Sequence, residues 1–478
     1  MKFGTSGLRG LVSDLEGRPT TLYASAFARH LLESGKAKLG DTILVGRDYR
    51  PSSPSIAATC IGALSRAGFQ PLDCGALPTP ALAFFGLHIG APSLMVTGSH
   101  IPADRNGIKF YRADGEIDKA DEGSITRIAE VLEAQDIVSE QMSAPDVREA
   151  AMSLFRSRIE SILTPRALAR LRVGVYQHST VAREMLVETL VLFGAAVVEL
   201  GFSESFIPVD TEAVSSETVQ QMQAWAKEYS LDAIISADGD GDRPLVTDET
   251  GTPIRGDLLG LIAARFLNAR VLVTPVTSNS GIEAQGDFKV VRTKVGSPFV
   301  ITGMENAVQN GCPLVMGFEA NGGTLVATPF PLSNGELAPL PTRDSVLPIL
   351  AVLKIAAQSQ EPLSRLVANF NLPCAVADRL EDFPVETSAA LMAYLRQSDE
   401  QLADFLAPLG KVHNKTDIDG LRVTLSDGNV VHLRPSGNAP EMRCYVEAKN
   451  EQAASNLLNA TLEIIRAWAS VNNHVSSI

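Results

Sequence analysis

The feature that most constrains this chain is an imperfect repeat of a β–α–β pattern. One unit, Thr42 to Gly75, reads TILVGRDYRPSSPSIAATCIGALSRAGFQPLDCG, and a second, Leu171 to Gly201, reads LRVGVYQHSTVAREMLVETLVLFGAAVVELG. In each, an apolar β-type segment leads through a polar loop into a helix-period stretch. A Gly (Gly68, Gly194) and a second apolar segment follow. A third unit, opening at ARVLVTPVTSNSGIEAQ, matches less well. Strands alternating with helices predict parallel sheets, which gather ligands at the carboxyl ends of their strands. Three β-type runs lead there into small polar loops: PSLMV into TGSHIP, LDAIIS into ADGDGDR, and PLVMG into FEANGG. The architecture this predicts is three similar α/β units that each offer one loop to a shared cleft. Three independent domains with unrelated turns are the alternative.

The C-terminal part changes character. Leu421 to Leu433 alternates around Asp427-Gly428 and reads as a hairpin, MRCYVEA as another strand, and Glu451 to Ala469 as an amphipathic helix. The expected fold class is therefore α/β, with three related domains of mixed or parallel sheets and a C-terminal α+β domain around a central cleft. The expected bounds are 1–147, 148–250, 251–370 and 371–478. A length of 478 residues fits, at about 150 residues per domain. The Pro-rich PFPLSNGELAPLP before Arg343 is a linker or a loop of the third unit. The loop is favoured, because Thr342, Asp344 or Ser345 could cap the apolar helix that follows.

Composition narrows the function. An apolar fraction of 45% suits globular cores, and no apolar stretch approaches the roughly 20 residues that span a bilayer. MKFGTSGLRG has no apolar signal region, and five cysteines without a CxxC pair suit neither a disulfide framework nor a zinc site. The expectation is a soluble cytoplasmic protein. A net charge of −14 without Lys/Arg runs argues against a nucleic-acid partner.

ADGDGDR carries the strongest chemistry. Asp238, Asp240 and Asp242 alternate with glycines that let the backbone curl, and converging carboxylates suit Mg²⁺ or Ca²⁺. Glu249 stands twelfth from Asp238, as in a calcium loop. The sixth position, however, is Arg243 where that loop needs Gly, and the upstream segment reads as a strand. A bare structural turn is the other reading, and it leaves three clustered carboxylates repelling without a cation. TGSHIP places Ser99 and His100 at a strand end, with Lys109 following in NGIKFY. A polar turn with a satisfied histidine would explain the pair, and no acyl-transfer triad can be assembled around it. Three carboxylates make sense beside a serine that carries phosphate, whose charge a divalent cation would partly neutralise. In RPSGNAPEMR, Arg434 offers a fork for phosphate, Ser436, Gly437 and Asn438 offer hydroxyl, amide and open N–H groups, and Arg443 offers a second fork or a cover for the sheet. Glu319 and Asn321 in FEANGG suit vicinal hydroxyls. Arg9 in TSGLRG could bind an anion or form a surface pair, and Arg47, Asp48 and Arg50 read as a structural ion-pair cluster at a strand end.

Taken in order, TSGLRG, TGSHIP with NGIK, DGDGDR, FEANGG and RPSGNAPEMR resemble the α-D-phosphohexomutase superfamily, closest to its bacterial phosphomannomutases. The resemblance covers nearly the whole chain. It implies a heart-shaped protein of three related α/β domains and a fourth of another fold around a central cleft. It makes Ser99 the phosphoserine, with His100 in its loop. Asp238, Asp240 and Asp242 become ligands of one Mg²⁺, with the Ser99 phosphate adding an oxygen. Arg243 closes that loop. Glu319 and Asn321 become sugar-recognition residues, and Arg434, Ser436, Gly437 and Asn438 the phosphate-binding loop. Lys109 and Arg9 become active-site cations, with His100 and Lys109 the candidates for proton transfer. The implied reaction interconverts mannose 1-phosphate and mannose 6-phosphate through a phosphoserine enzyme and a hexose 1,6-bisphosphate, in a monomer or homodimer. Glucose or glucosamine phosphates are the alternative substrates. A non-catalytic calcium-binding sugar-phosphate sensor and a metal-dependent phosphatase are the rivals of other classes. The chain departs from the usual motifs at Gly98 and Ile101 (usually Ala and Asn), at Asn438-Ala439 (Thr-Glu) and at Asn321 and Gly323 (Ser and His). Ser297 also stands where a larger side chain is common. These departures bear on the choice of sugar.

Overall fold

Thr42–Arg47 and Gln70–Ala76 pair in parallel, joined by the helix Ser53–Arg66. Arg172–Tyr176 and Ala196–Leu200 do the same around Arg183–Leu192. Both repeats thus fold as β–α–β units. The computed structural model describes residues 2–3, 7–436 and 440–472. The chain divides into two units, Met1–Val273 with Gly296–Asn369 and Thr274–Val295 with Phe370–Ile478.

Within the first unit the three larger sheets are mixed rather than purely parallel. In each, a buried parallel strand is followed by a return strand paired antiparallel to it. Ser93–Val96 returns as Arg105–Arg112, Ala233–Ala237 as Pro244–Thr247, and Val315–Phe318 as Thr324–Val326. The three polar loops are therefore hairpin connections at the carboxyl ends of parallel strands. This explains their brevity, since a parallel crossover needs a dozen residues or more. The leading strands Ser93–Val96, Ala233–Ala237 and Val315–Phe318 are buried along their whole length, in keeping with near-continuous apolar runs that only Ser93 and Ser236 interrupt.

The Pro-rich stretch is neither linker nor loop. Phe330–Leu332 and Gly335–Leu337 form a hairpin, and Leu340–Asp344 joins the edge of the third sheet beside Thr324–Val326. Pro331 lies in a two-stranded ribbon and Pro341 in an edge strand, the places where a missing N–H is tolerated. Asp344 Oδ1 accepts the Val346 amide at the head of the helix Val346–Gln358, 2.8 Å away.

The second unit is α+β. Its antiparallel sheet runs Cys374–Leu380, Met442–Ala448, Val430–Pro435, Leu421–Leu425, Val412–Thr416. Helices Val385–Gln397, Asp399–Leu406 and Glu451–Asn472 share its core through Leu391, Leu402, Val446 and Ile465. The segment Thr274–Val295 joins this unit by hydrogen bonds. Asn279 Nδ2 donates to Pro373 O at 2.8 Å, Ser280 N to Glu447 at 3.1 Å and Val295 N to Asp419 at 3.0 Å. Among the described residues no helix is long and apolar enough to cross a membrane, and the five cysteines are free thiols.

Candidate active site

The serine loop is held from behind by a buried ion pair. Asp48 and Arg50 follow the strand Thr42–Arg47, and both are almost fully buried. Asp48 accepts Thr97 Oγ1 at 2.8 Å, and Thr97 Oγ1 in turn accepts the Ser99 amide at 2.8 Å. Arg50, 3.2 Å from Asp48, donates to the carbonyls of Ser99, Ile101, Pro102 and Arg105 at 2.6–2.9 Å. The Asp48–Arg50 pair of VGRDYR is thus structural, and what it structures is the Ser99 loop. Gly98 leaves room for it, because a Cβ there would fall 2.6 Å from Arg50 Cζ. Ser99 itself sits at φ +54, a left-handed conformation uncommon for a non-glycine residue and typical of functional turns.

Ser99 Oγ donates to Asp238, and His100 Nδ1 lies 3.2 Å from the same oxygen. Beyond His100, Asp210 stands 3.9 Å from Nε2, too far for a hydrogen bond. The loop bearing Asp238, Asp240 and Asp242 is held by all three α/β repeats. The Thr79 amide donates to Asp240 O at 2.9 Å, Thr180 Oγ1 to Asp238 O at 2.7 Å, and Ser345 Oγ to Gly241 O at 2.7 Å. The three aspartates are fully buried, with one carboxylate oxygen of each within 4.8 Å of the others. Lys109 Nζ reaches Asp240 and Asp242 at 2.6 Å each. Arg343 Nη2 reaches Asp242 at 2.8 Å, and Arg243 Nε stands 4.0 Å from Asp238 and Asp242.

The charges settle unequally. Burial, with Asp240 and Asp242 adding to it, pushes the Asp238 carboxyl up to about 8. Burial also works against a charged Asp242, but Arg343, Lys109 and Arg243 outweigh it and hold that carboxyl below the usual range. For Lys109 burial opposes the ammonium, and Asp240 and Asp242 more than offset it, so its pKa rises. Burial, then Arg243 and Arg343, draw Arg9 down to about 10, which marks Arg9 as a member of the same cationic group. Burial and Arg243 bring His100 down to about 4, so it is neutral near pH 7. Asp240 Oδ1 and Asp242 Oδ1 are buried without a hydrogen-bond partner. Orphaned carboxylate oxygens converging in a buried loop fit a hard divalent cation. Glu249 takes no part in this cluster: it accepts the Ser364 amide at 3.0 Å, so the calcium-loop pattern is not built.

Glu319 and Asn321 follow the strand Val315–Phe318, both buried. Asn321 Oδ1 accepts the Gly323 amide at 3.0 Å and shapes the turn, whereas Glu319 accepts Arg343 Nη1 at 2.5 Å. Arg343 therefore ties the third loop to the acidic loop. In the second unit, Arg434 stands at the end of Val430–Pro435 with Nε 2.9 Å from Asp419. The Ser436 amide donates to Glu441 O at 3.0 Å, and Arg443 is part-exposed, 3.4 Å from Glu441. Gly437 and Asn438 lie outside the described residues.

Sequence reasoning brought forward Ser99, His100, Lys109, Arg9, the three aspartates, Arg243 and Glu319, and the structure gathers them. It missed Arg343, Thr79, Asp419 and the role of Arg50. A charged residue inside the apolar run LAPLPTRDSVLPIL was the available signal for Arg343.

Four family descriptions of phosphoglucomutase/phosphomannomutase match most of the chain. Alpha/beta/alpha domain I matches residues 1–136, domain II 154–251, domain III 255–372 and the C-terminal domain 383–464. The chain is 53% identical over 468 residues to a phosphomannomutase of Sinorhizobium fredii, covering 98% of this chain and 99% of that one. It is 39% identical over 475 residues to a phosphomannomutase of Salmonella muenchen, covering 98% and 96%. A crystal structure of a phosphoglucomutase/phosphomannomutase family protein from Burkholderia thailandensis shares the fold, with a TM-score of 0.75, 22% identity and 98% of each chain covered.

Proposed function

The chain belongs to the phosphoglucomutase/phosphomannomutase family, and from that premise we propose that it interconverts mannose 1-phosphate and mannose 6-phosphate. The observation that carries the chemistry is the meeting of Ser99 Oγ with the Asp238, Asp240 and Asp242 cluster. What favours mannose is the 53% identity, along the whole chain, with a protein named for that sugar.

In this reading Ser99 carries a phosphoryl group and passes it to the free hydroxyl of the bound sugar monophosphate. The P–Oγ bond breaks, a P–O bond to the sugar forms, and the hydroxyl proton leaves. The resulting hexose 1,6-bisphosphate turns over and returns its other phosphoryl group to Ser99. A Mg²⁺ held by Asp238, Asp240, Asp242 and a phosphate oxygen would supply charge neutralisation at the transferring group. The need for it is physical: a dianion on Ser99 would otherwise face a buried cluster of three aspartates, in which Asp238 meets Ser99 Oγ and Asp242 is held ionised. Lys109 and Arg9 hold positive charge beside the transfer position. His100, 3.2 Å from Ser99 Oγ, is the group placed to take or return the proton, whereas Lys109 is tied between two carboxylates. Glu319 is the group offered to sugar hydroxyls, and in the second unit Arg434, with the Ser436-Gly437-Asn438 motif, is the group offered to a phosphate.

The test follows mannose 1-phosphate and glucose 1-phosphate by phosphorus NMR, with Mg²⁺ and a trace of hexose bisphosphate. Faster conversion of the mannose compound to its 6-phosphate is expected, with loss of all conversion in Ser99→Ala and on chelation of the metal. Faster conversion of glucose 1-phosphate would keep the mechanism and overturn the sugar. Release of inorganic phosphate, or turnover surviving in Ser99→Ala, would overturn the mutase.

A further inference from the structure

Arg343 lies on the strand Leu340–Asp344 and is 2% exposed, outside all the loops that carry the proposed chemistry. Its Nε and Nη2 reach one oxygen of Asp242, Oδ2, at 3.0 and 2.8 Å, and its Nη1 reaches Glu319 Oε2 at 2.5 Å. Lys109 Nζ meets the same Asp242 oxygen at 2.6 Å. The other oxygen, Oδ1, is buried and receives no hydrogen bond. The guanidinium stem has its room only because residue 323 is glycine. A Cβ there would fall 2.8, 2.9 and 3.0 Å from Cδ, Cγ and Cβ of Arg343.

We propose that Arg343 is a positioning residue: its fork occupies Asp242 Oδ2 so that Oδ1 is presented to a divalent cation, and the same fork fixes Glu319 for the sugar. The sign of its effect separates this role from simple charge. A guanidinium beside a cation site opposes metal binding by Coulomb repulsion, so a residue acting through charge alone would tighten binding when removed. A residue that orients a ligand weakens binding when removed, typically 10- to 100-fold. The metal half of the proposal stands on the geometry of the acidic loop. The sugar half rests on the phosphomutase reading above.

The experiment titrates Mn²⁺ into the full chain, following free Mn²⁺ by electron paramagnetic resonance, with thermal melts to establish folding. The variants are Arg343→Met, Arg343→Lys and Gly323→Ala, the last displacing the fork without removing its charge. About tenfold or greater weakening of Mn²⁺ binding is expected in Arg343→Met. Lysine, which has the charge but no fork, should fail to restore it, and Gly323→Ala should weaken binding likewise. In parallel, KM for mannose 1-phosphate should rise more than kcat falls. Unchanged or tighter Mn²⁺ binding in folded Arg343→Met overturns the proposal, as does a wild-type chain that binds no Mn²⁺. Should Arg343→Met fail to fold, Gly323→Ala decides by the same criterion. An unchanged KM overturns the sugar half. A wild-type chain without turnover would remove the phosphomutase reading, while the Mn²⁺ titration would still decide the metal half.

Discussion

Arg50 donates to four backbone carbonyls around a serine in a left-handed conformation. A lysine at that position would keep the charge opposite Asp48 but could not span the fork, since an ammonium is a point donor on a flexible stem. Ser99 Oγ would then lose its fixed approach, and small displacements of a reacting atom are costly in rate. We expect Arg50→Lys to lower kcat at least about tenfold with little change in KM, equivalent to about 1.4 kcal/mol in the transition state. Steady-state kinetics on folded protein checks this, and an unchanged kcat would return Arg50 to a purely structural role. At this scale the candidate site residues were legible because alternate carboxylates, a strand-end serine and a basic Pro-Ser-Gly motif are local patterns. Arg343 was not, because its partners lie 101 and 24 residues away in the chain.

Among elements, the three hairpin loops depend on what packs behind them. The strand Leu340–Asp344 and the helix Val346–Gln358 are joined at Asp344, which caps the helix with Oδ1 and meets Arg158 Nη1 through Oδ2 at 2.8 Å. Arg158 belongs to the helix Arg148–Glu160, and both members of the pair are buried. Removing the carboxylate strands a buried guanidinium, which costs about 3–5 kcal/mol. Asp344→Ala should lose about that much stability in denaturant titrations, and Asp344→Asn should recover about 1 kcal/mol of it through the retained cap. Equal stability of the two variants would show that the cap contributes nothing. The Pro-rich segment before this strand shows where pattern reading stops. Proline normally argues against strands, and only the edge positions of Pro331 and Pro341 reconcile it with pairing.

Across the whole molecule, each unit encloses a histidine away from water. His178 donates to Ala237 O at 2.9 Å and His432 to Asp419 O at 2.7 Å. Burial draws each down to about 4, so both stay neutral in the folded chain well below the ordinary value of 6.5. The unfolded chain takes up their protons first. Stability is therefore fully present above about pH 6.5 and falls as pH drops toward 4, by up to about 3 kcal/mol per histidine. Asp238, raised to about 8, contributes with the opposite sign over that window, so the difference between chains is what tests the histidines. From pH 7.5 to 4.5 the urea midpoints of His178→Gln or His432→Gln should lose less toward acid than those of the unsubstituted chain. A slope unaffected by either substitution would assign the acid sensitivity to other groups.

The sequence alone determined the α/β repeats, the change to α+β near residue 370, and the loops that hold the candidate site residues. Those signals are periodicity and short motifs, which depend on neighbours in the chain. The tertiary structure decided what depends on distant residues. It made the sheets mixed, because each polar loop turns back as a hairpin instead of crossing over. It made the acidic loop the point where Thr79, Thr180 and Ser345 of three repeats meet. It also placed one buried arginine between the acidic loop and the Glu319 loop. Such a placement follows from the packing of three sheets, and no local pattern encodes it.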